Sequence, residues 1–232
     1  MNHDSEGKMT IEVDTKDCTA LSDAELGEMA DISAEGPAGF DVGFLSKQRE
    51  EWVLVTQSRE SGRLHGFLFS TLERIGGTPA MLVGLASVKS TARRGPHLRA
   101  LMGDLYRRAV LAFPDEDVLV GTRMIDAAGF QAFRGLEDIV PSPGHRASGE
   151  ERAWGRRLAK RFGAEGRIDD RTFVLAGDGL RGGVLEFQAL KPESVPVEVA
   201  GLFSALDTAR HDSLVTFGWA MAEDLATAHV GR

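Results

Sequence analysis

The spacing of apolar and polar residues changes several times along this chain, and each change predicts an element. Residues 9–14 (MTIEVD) alternate as a first strand. Ser22 and Glu25 make an S-x-x-E capping box, with Leu21 and Leu26 placed as its hydrophobic staple, so a helix begins there and runs to about Ile32. Residues 35–50 carry Gly36, Pro37 and Gly39 and then FLSKQRE, which reads as a short irregular helix. Three strand signals follow at 52–57, 64–75 and 79–88, separated by the turn-like SRESGR and by Gly76–Gly77. Connections this short predict an antiparallel meander.

From residue 98 the period becomes helical. Leu98, Leu101, Met102, Leu105, Tyr106, Ala109, Ala112 and Phe113 fall on one face of 98–113, with Arg99, Asp104, Arg107 and Arg108 opposite. The next strand, 117–123, comes after a full helix, so it should run parallel to the strand ending at Val88. Residues 126–136 suggest a short helix ended by Pro141 and Pro143. Ser148 and Glu151 form a second capping box for a helix with Trp154, Leu158 and Phe162 on one side. Its many arginines read as a solvated face. Strands at 171–176 and 184–189, a helix near 197–208 and a strand at 213–220 complete the pattern. The fold class is α/β with a mixed sheet, helices on both faces, in one domain over 1–232. Residues 145–232 form its C-terminal part and residues 1–8 read as disordered. The strand at 213–220 would offer an edge for a homodimer.

Charge and cysteine content narrow the function classes. A net charge of −8 argues against a broad phosphate footprint, so no nucleic-acid partner is expected. No apolar run reaches membrane-helix length, and the polar N-terminus has no leader-like core. With a single cysteine, Cys18, there is no internal disulfide. These features together place the chain in the cytoplasm, with no membrane partner. The six histidines show no H-x-x-x-H or similar ligand spacing, so no metal site is expected.

The informative segment is the turn from strand to helix, V-K-S-T-A-R-R-G-P-H-L-R-A-L-M, from Val88 to Met102. Here the chain resembles the GNAT acyltransferase superfamily. Members have a valine at the end of the fourth strand, then (Arg/Gln)-x-x-Gly-x-(Gly/Ala) five residues on, then a helix beginning like R-A-L-L. Val88 and Arg93 have that spacing, and Arg99-Ala100-Leu101-Met102 fall on the helix start. The resemblance implies a GNAT-like fold and coenzyme A or acetyl-CoA as co-substrate. It also implies an acyl group passed to the amine of a small molecule or peptide. Val88, Arg93, Arg94, Gly95, His97 and Leu98 would line the donor site. The physical basis is anion binding by free N–H groups at a helix N-terminus. The chain departs from the motif at both glycine positions, which are Pro96 and Leu98. Pro96 has no N–H, and Leu98 brings a side chain where close approach is wanted. Lys89, Arg93, Arg94 and His97 would then have to hold phosphates through their side chains.

The acid–base groups stay open. Where many relatives have a tyrosine, this chain has Phe130 and Phe133, and its one tyrosine, Tyr106, sits on the apolar helix face. Glu73, Asp126 and Glu137 are candidate bases with nothing to choose between them. Two functions remain: an N-acetyltransferase in which an amine attacks the thioester where the fourth and fifth strands part, with a backbone N–H near Val88 facing the oxyanion, or a GNAT-like scaffold without catalysis that binds another ligand.

Overall fold

Both capping boxes close as the sequence predicts. Ser22 Oγ accepts from the Glu25 amide at 3.3 Å and the Glu25 carboxylate accepts from the Ser22 amide at 2.9 Å. Ser148 and Glu151 repeat the arrangement. The computed structural model describes residues 10–225, so the expected disorder of residues 1–8 lies outside them. In chain order it contains β1 (Ile11–Asp17), α1 (Asp23–Ser33), α2 (Val42–Glu51), β2 (Leu54–Glu60), β3 (Arg63–Ile75) and β4 (Thr78–Val88). Then come α3 (Arg94–Ala112), β5 (Val118–Met124), a 3-10 segment (Ala127–Phe133), β6 (Glu137–Val140) and α4 (Gly149–Arg161). The chain continues with β7 (Val174–Leu175), β8 (Leu185–Glu186), α5 (Val197–Gly201) and β9 (Ser213–Ala220).

The sheet is mixed, in the order β1-β2-β3-β4-β8-β5-β9-β6, with β7 beside β9. β1 to β4 form the antiparallel meander, and β4 pairs parallel with β5 across the α3 crossover. This is the strand order and crossover that the sequence resemblance implies. One face carries α3 and the 3-10 segment over Leu68, Met81, Val83, Val118 and Val120. The other carries α1 and α2 over Phe67, Phe69 and Leu85, and α4 over Ala80, Leu82 and Leu119.

Several elements depart from the pattern. α3 begins one turn early, at Arg94, because Pro96 fits a first helical turn, where its missing N–H breaks no bond within the helix. The expected helix at 126–136 is a 3-10 segment, followed by the short strand β6. The strands at 171–176 and 184–189 shrink to two residues each, and the helix at 197–208 to five. β9 cannot supply an edge for a dimer, since β5 takes one side and β6 and β7 the other.

Two β-bulges redirect side chains around the centre of the sheet. Gly84 is an extra residue in β4, between the pairs Ser70–Val83 and Phe69–Leu85. It reverses the alternation, so Met81 and Val83 face α3 while Leu85 faces α1. His65 is an extra residue in β3, between the pairs Ser58–Gly66 and Arg59–Leu64. The β2–β3 turn itself is Ser61–Gly62, both at positive φ (50° and 75°), as a two-residue hairpin requires.

Candidate functional site

β4 and β5 pair from Ala80–Leu119 to Val83–Thr122 and then part. At the parting point the Thr122 hydroxyl donates to the Val83 carbonyl at 2.9 Å. The space beyond is occupied by the protein's own chain. β8 pairs with β4 at Ala86 and Ser87 and with β5 at Met124. The Ala86 amide donates to the Val184 carbonyl at 3.1 Å. Gly183 crosses directly beside the Gly84 carbonyl, where a Cβ would have no room. The Lys89 amide, next to Val88, donates to the His65 carbonyl at 2.7 Å. Val88 itself is half-buried against the α3 core.

The basic loop is folded inward too. In the first turn of α3 the Arg94 amide donates to the Thr91 carbonyl, the His97 amide to the Arg93 carbonyl, and Pro96 has none to give. Arg94 is 7% exposed and lies over the Phe187 ring, 5.2 Å from its centroid. Burial lowers its pKa. Leu98 is a core residue at 1% exposure. Arg93 pairs with Glu60 at the end of β2, and His97 is wholly buried beside the same carboxylate. The structure thus keeps Arg93 and Gly95 at the surface and takes Arg94, His97 and Leu98 inside. A pyrophosphate cradle and a passage for a pantetheine arm do not fit the residues present.

Two larger cavities open among the described residues. The first, about 560 Å³, lies on the α3 side, with Gly95, Arg99, Phe130 and Arg134 among its walls. The second, about 570 Å³, lies on the α2 side, below Trp52 and Phe162. Trp52 follows α2, donates its indole N–H to Gln48 at 3.0 Å, and lies flat on Gly84, the bulged residue of β4. Arg123 of β5 reaches into this second cavity with its guanidinium over the Phe162 ring, 5.5 Å from the centroid. Its Nε has no hydrogen-bond partner. The nearest carboxylates are engaged elsewhere, Asp178 with Arg167 and Glu51 with the Gln48 amide. Loss of water pulls the Arg123 pKa down to about 10, with Arg167 adding to the effect and Asp178 and Glu51 opposing it.

Of the candidate bases, Glu73 and Asp126 have structural duties, and Glu137 is exposed on β6. Glu73 pairs with Arg161, and Asp126 caps the 3-10 segment by accepting the Ala128 amide at 2.8 Å. Tyr106 is packed in the α3 core and donates to the Ala132 carbonyl at 3.3 Å, and burial pushes its pKa up. Cys18 is buried, and loss of water pushes its thiol up to about 12. Sequence patterning missed Glu186, a buried β8 carboxyl whose pKa burial raises to about 7. It also missed Arg123, whose only signal is a charge inside an apolar strand run.

No protein-family model and no curated protein matches the chain. Among solved structures, an aminoglycoside 6'-acetyltransferase type Ii is similar at 12% identity and a TM-score of 0.42, over 56% of this chain and 87% of that one. A ribosomal-protein-alanine N-acetyltransferase from Brucella melitensis biovar Abortus 2308 is similar at 18% identity and a TM-score of 0.38, over 48% and 79%. An aminoglycoside N-acetyltransferase in complex with CoA is similar at 14% identity and a TM-score of 0.37, over 48% and 76%. Likeness of this size says nothing of ligand or reaction. Among the described residues no helix is long and apolar enough to cross a membrane.

Proposed function

We propose that this chain is a small-molecule-binding protein on an acetyltransferase-type scaffold, and that it takes an organic carboxylate with an apolar body into the cavity over Arg123. The observation that carries this reading is the Arg123 guanidinium, enclosed in a cavity of about 570 Å³ with its Nε unpaired. Leaving a desolvated cation without an acceptor is costly, and an anionic ligand removes that cost. Trp52 and Phe162 supply flat apolar walls for the rest of such a ligand. A carboxylate also suits the planar fork of arginine.

A second reading, acyl transfer from coenzyme A to an amine, is favoured by the other cavity. Its walls include Arg99, Arg134 and Gly95 at the start of α3, and its volume of about 560 Å³ suits a nucleotide-sized group. Against it stand β8 in the strand gap and the inward turn of Arg94 and His97.

Calorimetric titration and thermal shift with small aromatic and aliphatic carboxylates, their amides, coenzyme A and acetyl-CoA test both. Carboxylates should stabilise the protein, amides should not, and Arg123→Gln should abolish the difference. Amides binding as well as carboxylates, or an unaffected Arg123→Gln variant, would refute the carboxylate reading. Micromolar acetyl-CoA binding that Arg93→Ala with Arg94→Ala weakens would establish the second.

A further inference from the structure

The basic loop at the start of α3 has been redirected to a buried group of three side chains from three elements: Glu60 of β2, His65 of β3 and His97 of α3. Each offers one ligand-type atom, and these atoms all lie within 4.8 Å of one another. Glu60 is 5% exposed, His97 is fully buried and His65 is half-buried. The two imidazoles lie parallel, with centroids 4.7 Å apart.

The hydrogen-bond pattern fixes which atoms face the centre. Ser58 Oγ lies 3.2 Å from His97 Nδ1 and 3.4 Å from the Gly66 carbonyl. The hydroxyl hydrogen goes to that carbonyl, so Ser58 accepts from Nδ1–H. His97 is then left with a lone pair on Nε2. That atom is buried, has no hydrogen-bond partner, and faces Glu60 Oε2 at 3.7 Å. His65 Nδ1 is likewise buried and unpaired. Two lone-pair atoms aimed at each other across 3.7 Å repel unless a proton or a metal ion lies between them.

We infer that Glu60, His65 and His97 form a binding site for one divalent transition-metal ion of the zinc class. Two imidazoles and a carboxylate are a donor set for such ions, with the fourth position left for water. Metal–ligand bonds of about 2.0–2.1 Å put tetrahedral ligand atoms about 3.4 Å apart. The His97–Glu60 pair is already near that spacing, and His65 turns its ring out of the parallel stack with His97 to bring in the third ligand. The bulge at His65 is what turns this side chain towards α3. Ser58 orients His97 as an outer-shell partner does. Arg93 takes the other Glu60 oxygen. It steadies the carboxylate while weakening cation affinity, an effect that water screens at its surface position.

The test uses the full, untagged chain stripped with EDTA and titrated with zinc chloride, and with cobalt chloride as a spectroscopic probe. One equivalent per chain is expected, with the visible d–d bands of cobalt on nitrogen and oxygen ligands. His65→Asn, at the half-buried position least able to disturb folding, should weaken binding about 100-fold or more while circular dichroism is unchanged. Ser58→Ala should cost about 10–100-fold by releasing His97. His3→Ala should bind as the parent does. No stoichiometric binding at micromolar metal, binding that survives His65→Asn, or binding lost in His3→Ala would overturn the site.

Discussion

The Ala86 amide and the Val184 carbonyl are joined at 3.1 Å, across the gap where β4 and β5 part. In the motif that the loop at 88–102 resembles, that gap belongs to the acyl donor. Here the chain's own β8 satisfies the backbone groups of β4 there, and the Gly182–Gly183 pair lets it pass close to Gly84. The two cavities share no lining residue.

If β8 is a permanent part of the sheet, the Ala86 amide should exchange with solvent as slowly as the amides of Leu119 and Val120 in the β4–β5 ladder. Hydrogen exchange read by mass spectrometry or NMR measures this directly. Exchange within minutes, or exchange quickened by acetyl-CoA, would mean that β8 leaves the gap and that the donor passage is real.

Gly84 carries a different prediction. A Cβ at this position would overlap the Trp52 ring, which closes the cavity over Arg123. Gly84→Ala should displace the indole, shift its fluorescence to the red, and destabilise the protein by about 1–3 kcal/mol through overpacking. It should also weaken carboxylate binding, because a wall of the pocket moves. An unshifted emission maximum in a variant whose Trp154 and Trp219 are replaced by Phe, so that Trp52 alone emits, would show that Trp52 is not held against β4.

Much of this architecture was readable in the sequence, for local physical reasons. Ser22–Glu25 and Ser148–Glu151 are caps whose partners lie three residues apart. The switch of period at residue 98 locates the crossover helix. The sites were not readable, because their members meet only through tertiary pairing. β8 is two residues long, too short for any period to show. Glu60, His65 and His97 have no ligand spacing as a string, and depend on a hairpin turn, a bulge and a helix start to meet. The loop residues Arg94 and His97 were legible as a basic motif, yet nothing local says that both side chains turn inward.

The second capping box allows a simple energetic check. Ser148 accepts the Glu151 amide at 3.2 Å, and α4 packs Trp154 and Leu158 onto the sheet. Ser148→Ala should cost about 1 kcal/mol of stability. Urea unfolding that changes by less than a few tenths of this would place α4's stability in packing alone.

Glu186 gives the pH dependence. Its carboxyl is buried in β8, beside Gly36, whose missing side chain makes room for it, and the Ala38 amide donates to it. Burial raises its pKa from 4.5 to about 7, and the amide bond opposes this only in part. A carboxyl raised in the fold binds its proton more tightly there than in the unfolded chain. Its contribution is therefore complete below about pH 4.5 and is lost as the pH rises through about 7. The span corresponds to at most about 3 kcal/mol. Urea midpoints should fall between pH 5 and pH 8, and Glu186→Gln, which stays neutral throughout, should flatten that fall. Gly36→Ala should push the carboxyl from its place and reduce the same pH dependence, at a cost in stability. If the Glu186→Gln variant titrates as steeply as the parent, the buried carboxyl is not what links this fold to pH, and β8 is held in the sheet without it.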